Sequence, residues 1–213
     1  MERNLENLQA RYPVLADCMA EIDASAKLME ECYRRGGKLL VCGNGGSASD
    51  ALHIVGELMK GFVLPRHVNG SDRVALMNAG GEDGEYLCKN LQGALPAISL
   101  VNEAALSTAY ANDMAPDLAF AQQVWGHGKA GDIFFGISTS GNSRNVLLAA
   151  KVARARGMKV IGLTGMGGGK LASLCDACIA VPDRETYRIQ ELHLPIYHAL
   201  CLYLEQAFFG NEV

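Results

Sequence analysis

His53 and Glu57 stand four residues apart in the stretch SASDALHIVGELMK, whose apolar pattern is helical. Residues at i and i+4 share a helix face, so an imidazole and a carboxylate there can converge on one atom. Such a pair suits a borderline divalent cation such as zinc, which accepts nitrogen and carboxylate oxygen together. The same spacing also serves a hydrogen bond on a helix surface, or a histidine packed into a core. Spacing alone leaves these readings open.

Two loops carry a different chemistry. Gly43-Asn44-Gly45-Gly46-Ser47 follows the apolar run KLLVC and opens the helical stretch of residues 47–60. Glycines permit positive φ and let several N–H groups point to one place. The helix behind them adds its positive end, which favours an anion. A plain strand-to-helix turn capped by Ser47 is the simpler alternative. The letters also fit the dinucleotide pattern G-x-G-x-x-A, from Gly43 to Ala48. Against that, no β-rich run places an acidic residue about 20 positions on, where a ribose needs one. The second loop also argues for a phosphate. Ser138, Thr139, Ser140 and Ser143 surround Gly141 between an apolar run and a helical segment. Hydroxyls are neutral donors that can wrap a phosphate without Lys or Arg, and Asn142 or Ser143 can cap the helix that follows. Two such loops imply one small phosphorylated ligand between them.

The elements that must position these residues alternate. β-rich apolar runs are expected within GGKLLVCGNGG and over residues 97–101, 132–137, 159–164 and 178–181. Helical patterns are expected over residues 47–60, 142–156 and 190–208. Apolar residues Leu8, Tyr12, Leu15, Met19, Ile22 and Ala26 mark a further amphipathic region over residues 4–35, divided near Pro13. Strands alternating with helices predict an α/β fold: a parallel sheet with helices on both faces and an N-terminal helical extension over about residues 1–36. Ligands of such sheets bind at the carboxyl ends of the strands, which is where both loops fall. Residues 63–95 are the least readable part, with a possible strand over residues 73–77, a turn over residues 80–84 and a short amphipathic piece.

Composition narrows the function. With 213 residues, the chain reads as a single domain. It is 49% hydrophobic and 20% charged, with a formal net charge of −4, so its overall field recruits neither nucleic acid nor an anionic membrane. No run approaches the roughly 18 apolar residues of a membrane span, and the start MERNLENLQARYP lacks a signal-peptide core. Seven cysteines without an export signal imply reduced thiols and a cytoplasmic location. Cys175 and Cys178 are expected to be core thiols.

The blocks CGNGGSASDALH, GISTSGNSRNV, VIGLTGMGGGKLA and RIQELHLPIYH, in this order, resemble the sugar isomerase (SIS) domain family. Within it they are most similar to the sedoheptulose 7-phosphate (phosphoheptose) isomerases. The resemblance implies an SIS-type fold, a homotetramer, and conversion of sedoheptulose 7-phosphate to D-glycero-D-manno-heptose 7-phosphate through an enediol. It implies a divalent metal, zinc, held by His53, Glu57, Gln190 and His198, with Glu57 as catalytic base and His198 as its acid–base partner. Ser138, Thr139, Ser140 and Ser143 would hold the phosphate. Asn44, Gly45, Gly46, Ser47, Asn112, Asp113 and Gln190 would complete the sugar site, although Asn112 and Asp113 fit a simple Asx turn equally well. An isomerase of another sugar phosphate and a non-catalytic SIS-type scaffold are the alternatives. Gln190 and His198 lie about 12 Å apart on an ideal helix, so they can meet one ion only if Gln190 sits at the helix start. Pro195 is accordingly expected in an early turn. The family commonly has an Asp where this chain has Tyr187, and its link is shorter than residues 63–95.

Overall fold

The computed structural model describes residues 2–210, with side chains from Asn4 onward. Helix α1 (Glu2–Arg11) and helix α2 (Met19–Arg34) are separated by a 3₁₀ turn over Pro13–Cys18, where Pro13 occupies the first turn. A missing N–H costs nothing there. Strand β1 (Leu39–Cys42) leads into α3 (Gly46–Met59). Two short helices follow, α4 (Gly70–Gly80) and α5 (Gly84–Asn90), before strand β2 (Ala97–Ser99). Then come α6 (Ala104–Asp113), α7 (Ala119–His127), β3 (Ile133–Ser138) and α8 (Arg144–Ala155). Strands β4 (Lys159–Thr164) and β5 (Ala177–Ala180) and the long helix α9 (Thr186–Phe209) complete the chain.

The five strands form one sheet in the order β2-β1-β3-β4-β5, every pair parallel. Strands β1, β3 and most of β4 are buried on both faces and read as continuous apolar runs, as a helix-covered parallel sheet requires. Side chains of alternate parity enter two cores. Leu39, Val41, Ile133 and Phe135 pack with Ile22, Met29, Ile54, Leu58, Ile196 and Leu200, so α1, α2, α3 and α9 cover one face. Leu40, Cys42 and Phe134 pack with Phe120, Val124, Val146 and Ala150, so α7 and α8 cover the other. Each fully buried Leu or Ile adds about 1.5–3 kcal/mol over its exposed state.

From β1 the chain turns to β2 on one side, and β3 then returns to the opposite side of β1. The crevice between the carboxyl ends of β1 and β3 is therefore the topological switch point, the usual ligand position in such sheets. Helices α3 and α8 start there from opposite faces.

Three expectations are corrected. The segment proposed as a strand over residues 73–77 is the middle of α4. Ala75, Leu76 and Met77 are strong helix formers, Asp72 stands in the first turn, and the five-stranded sheet does not include this segment. Helix α9 begins at Thr186, a full turn before Gln190, and Pro195 lies in its interior rather than in an early turn. The ring is buried in the core, whose packing offsets the lost helical hydrogen bond. Helices α6 and α7 went unrecognised: α6 buries none of its residues and so carries no apolar stripe, and α7 is only nine residues long.

Candidate active site

The loop after β1 is shaped by contact with its surroundings. Gly45 has φ +57° and caps α3 without a side-chain hydrogen bond. A Cβ on Gly43 would lie 2.4 Å from the Ser47 carbonyl oxygen, and one on Gly46 would lie 2.4 Å from Nε2 of Gln190. Glycine is thus required for the tight turn at Gly43, where the clash is with backbone, while at Gly46 the Gln190 amide would have to move aside. Ser47 is buried, while Asn44 is exposed.

The loop after β3 is tied to itself and to its neighbours. The Ser138 hydroxyl donates to the Ser143 hydroxyl at 3.0 Å, and the Asn142 N–H donates to Ser140 Oγ at 3.1 Å. Gly141 has φ +63°, and a Cβ there would meet the Gly168 carbonyl oxygen at 2.0 Å. That contact belongs to the glycine-rich loop after β4, which backs the hydroxyl loop: Gly165 N–H donates to Thr139 O at 2.9 Å, and Lys170 N–H to Asn142 Oδ1 at 3.1 Å. Ser143 precedes α8 without capping it through its side chain, and in the first turn the Val146 N–H donates to Asn145 Oδ1 at 3.0 Å. The two loops are stitched together by a residue that sequence reasoning missed. Asn44 and Asn145 exchange side-chain amide hydrogen bonds of 3.0 and 2.9 Å. An asparagine in the first turn of a helix gives no signal of this in the sequence.

On the sheet face covered by α3 and α9, side chains rather than backbone make the site. His53 Nε2 lies 3.3 Å from Glu57 Oε1, so the i, i+4 pair does converge. His53 Nδ1 is 3.1 Å from the Tyr197 hydroxyl, which donates to Asp50 Oδ1 at 3.3 Å. Burial pushes the Asp50 carboxyl up, and the Tyr197 phenol is pushed up by burial and by the Asp50 charge. The ring nitrogens of His53 thus face the Tyr197 hydroxyl on one side and the Glu57 carboxylate on the other. The His198 ring stands 5.0 Å from that of His53 and 5.3 Å from that of Phe62. Its Nε2 is buried with no hydrogen-bond partner, and burial, helped by the nearby His53, holds its pKa below the ordinary value. Of His53, Glu57 and His198 only His198 has a nitrogen without a partner, and among the described residues no group of three or more His, Cys, Asp and Glu side chains could hold a metal ion.

Gln190 stands apart from this cluster. Its amide lies against Gly46, at the start of α3, whereas His198 faces His53 further along both helices. The condition for Gln190 and His198 to meet one ion, a helix starting at Gln190, is not met. Asn112 and Asp113 end α6, where Asn112 Nδ2 donates to Asp113 Oδ1 at 2.8 Å, and neither hydrogen-bonds to the loops among the described residues. His193 is fully buried and bonds Thr164 O through Nε2 at 3.2 Å, tying α9 to β4. Cys175 and Cys178 are half-buried free thiols against Gly162, and Cys175 donates to the Leu171 carbonyl at 3.2 Å.

Fold and site together define a class: a doubly covered parallel α/β sheet with a glycine loop and a hydroxyl loop facing each other at its switch point. The chain belongs to the SIS domain family, whose profile matches residues 6–84 and 87–165. It is 40% identical over 193 residues to the phosphoheptose isomerase of Rhodospirillum rubrum, covering 91% of this chain and 89% of that one. It is 37% identical to the phosphoheptose isomerase of Aneurinibacillus thermoaerophilus, covering 97% and 92%. Among solved structures, phosphoheptose isomerase GmhA from Neisseria gonorrhoeae superposes with a TM-score of 0.74 at 35% identity, covering 94% of each chain.

Proposed function

We propose that this chain is a phosphoheptose isomerase that interconverts sedoheptulose 7-phosphate and D-glycero-D-manno-heptose 7-phosphate. The observation that carries the reading is the convergence of His53, Glu57 and His198 beside α9, on the same sheet whose strand ends carry the two loops. The whole-length likeness to phosphoheptose isomerases supports the choice of sugar.

The phosphate rests on Ser138, Thr139, Ser140 and Ser143, and Asn44, Gly45, Gly46, Ser47 and Gln190 face the sugar. Glu57 removes the proton from C1 of the ketose and returns it to C2, giving the aldose through the enediol. His198, kept neutral by burial, shuttles a proton between the two neighbouring oxygens and assists ring opening. The resemblance implies a divalent metal, but among the described residues no group of three or more His, Cys, Asp and Glu side chains could hold one, and both oxygens of Glu57 already face His53 and Lys60.

Seven free cysteines support a reducing, cytoplasmic setting, and no helix among the described residues is long and apolar enough to cross a membrane. Exposed Leu52 and Met59 on α3 and Leu194 on α9 offer apolar surface around the site for further copies, consistent with a homotetramer. Incubation with sedoheptulose 7-phosphate and detection of the aldose tests the function. Turnover that disappears in Glu57→Gln supports the reading, and turnover unaffected by it removes Glu57 as base.

A further inference from the structure

The crevice between the carboxyl ends of β1 and β3 is bridged by one pair of side chains. The ladder joining the two strands ends at Cys42 and Gly136, and beyond it no hydrogen bond among the described residues joins the two loops except that of Asn44 with Asn145. Each amide donates to the other, Asn44 Nδ2 to Asn145 Oδ1 at 3.0 Å and Asn145 Nδ2 to Asn44 Oδ1 at 2.9 Å. Asn145 Oδ1 also accepts from the Val146 N–H at 3.0 Å, which fixes that end of the clasp to the helix backbone. Away from the crevice each loop is held separately. Leu171 N–H donates to Gly141 O at 2.9 Å and Lys170 N–H to Asn142 Oδ1 at 3.1 Å, behind the hydroxyl loop. Within the glycine loop, Ser47 N–H donates to Asn44 O at 3.1 Å and Ala48 N–H to Gly45 O at 3.0 Å. The two walls are thus individually tied and joined to each other by a single amide clasp. A carboxamide has two N–H groups and two lone pairs. The clasp takes one of each from Asn44 and leaves one of each, in directions that Asn145 sets.

We propose that Asn145 is a positioning residue for the phosphorylated sugar: its reciprocal pair with Asn44 sets the distance between the phosphate wall and the sugar wall, and the direction in which Asn44 meets the ligand. The inference rests on the reading given above, in which the two loops hold one sugar phosphate. Phosphate and sugar are joined covalently, so a crevice of fixed width selects the separation between them before binding. Loops without the clasp must find that separation when the ligand arrives, and the ordering is subtracted from affinity. Two exposed neutral hydrogen bonds contribute little to the fold, so the clasp acts on binding rather than on stability.

The test is the affinity of the full-length protein for sedoheptulose 7-phosphate, measured by titration calorimetry, for the parent chain, Asn145→Ala, Asn44→Ala and the double variant. Asn145→Ala is expected to bind about three- to tenfold more weakly than the parent. In the Asn44→Ala background the same substitution should change affinity by less than about twofold, because its partner is already gone. The melting temperatures of Asn145→Ala and the parent should agree within about 2 °C, which separates this role from a structural one. An equal loss in both backgrounds overturns the proposal and makes Asn145 a direct ligand contact. Parental affinity in Asn145→Ala overturns it too, as does a loss that comes with a melting temperature lowered by more than about 4 °C. A parent that binds the sugar phosphate without turning it over removes the isomerase reading, and the affinity ratios still decide the clasp. A parent that binds no sugar phosphate overturns both.

Discussion

The two halves of the site are built by different means. The loops after β1 and β3 are made mainly of backbone: glycines at positive φ, contacts that no Cβ could survive, and a mutual lock between Asn44 and Asn145. The cluster on α3 and α9 is made of side chains, leaves His198 Nε2 without a partner and holds Glu57 with an exposed lysine. A phosphate is the same group in every sugar phosphate, so a fixed cradle serves it. Proton transfer needs groups that change partners during the reaction, so that half is left incompletely satisfied.

This contrast can be broken from either side. The largest effect is expected on the side-chain half. His198→Asn should lower kcat by about 10²–10⁴ with little change in KM, as read from steady-state kinetics. A large change in KM with kcat preserved would move His198 out of the chemistry. On the backbone half, Gly141→Ala should cost at least about 2 kcal/mol in denaturant unfolding, because the residue sits at φ +63° and its Cβ would meet the Gly168 carbonyl at 2.0 Å. Full stability in that variant would show that the loop adapts and is no rigid cradle.

A third test concerns the joint between the halves, where His193 ties α9 to β4. Burial lowers the His193 pKa to about 4. In the unfolded chain it titrates near 6.5, so between these values the unfolded state binds the proton that the folded state refuses. Stability is then complete above about pH 6.5 and falls as pH drops toward 4, by roughly 3 kcal/mol in all. Unfolding free energies of the parent and of His193→Gln, compared over that range, should diverge by this amount, and parallel curves would contradict it. The smallest effect is expected from Ser143→Ala. Loss of one hydroxyl beside Ser138 should raise KM about tenfold with kcat nearly unchanged.

The same division decided what could be read from the sequence. Buried parallel strands are apolar runs with glycine ends, so β1, β3 and β4 and both loops were legible, as was the i, i+4 meeting of His53 and Glu57. Partners supplied by tertiary packing were not. Asn145 and Tyr197 carry no local signal, because their roles depend on which helix face meets which. Gln190 shows the same limit, since its place against Gly46 follows from where α9 begins and how it lies along α3. Helix α4 was misread because the short apolar run over residues 74–77 fits a buried strand as well as a helix by periodicity alone.

The most direct test of the central claim is the exchange of the C1 proton during turnover. Sedoheptulose 7-phosphate stereospecifically deuterated at C1 would be incubated with the parent protein and with Glu57→Gln, and both the aldose and its label followed. Formation of aldose by the parent with deuterium carried to C2 or lost to water, and a fall of about 10³-fold or more in Glu57→Gln with sugar binding retained, is the predicted result. Aldose formed at parental rate by Glu57→Gln would contradict the assignment of Glu57 as the base.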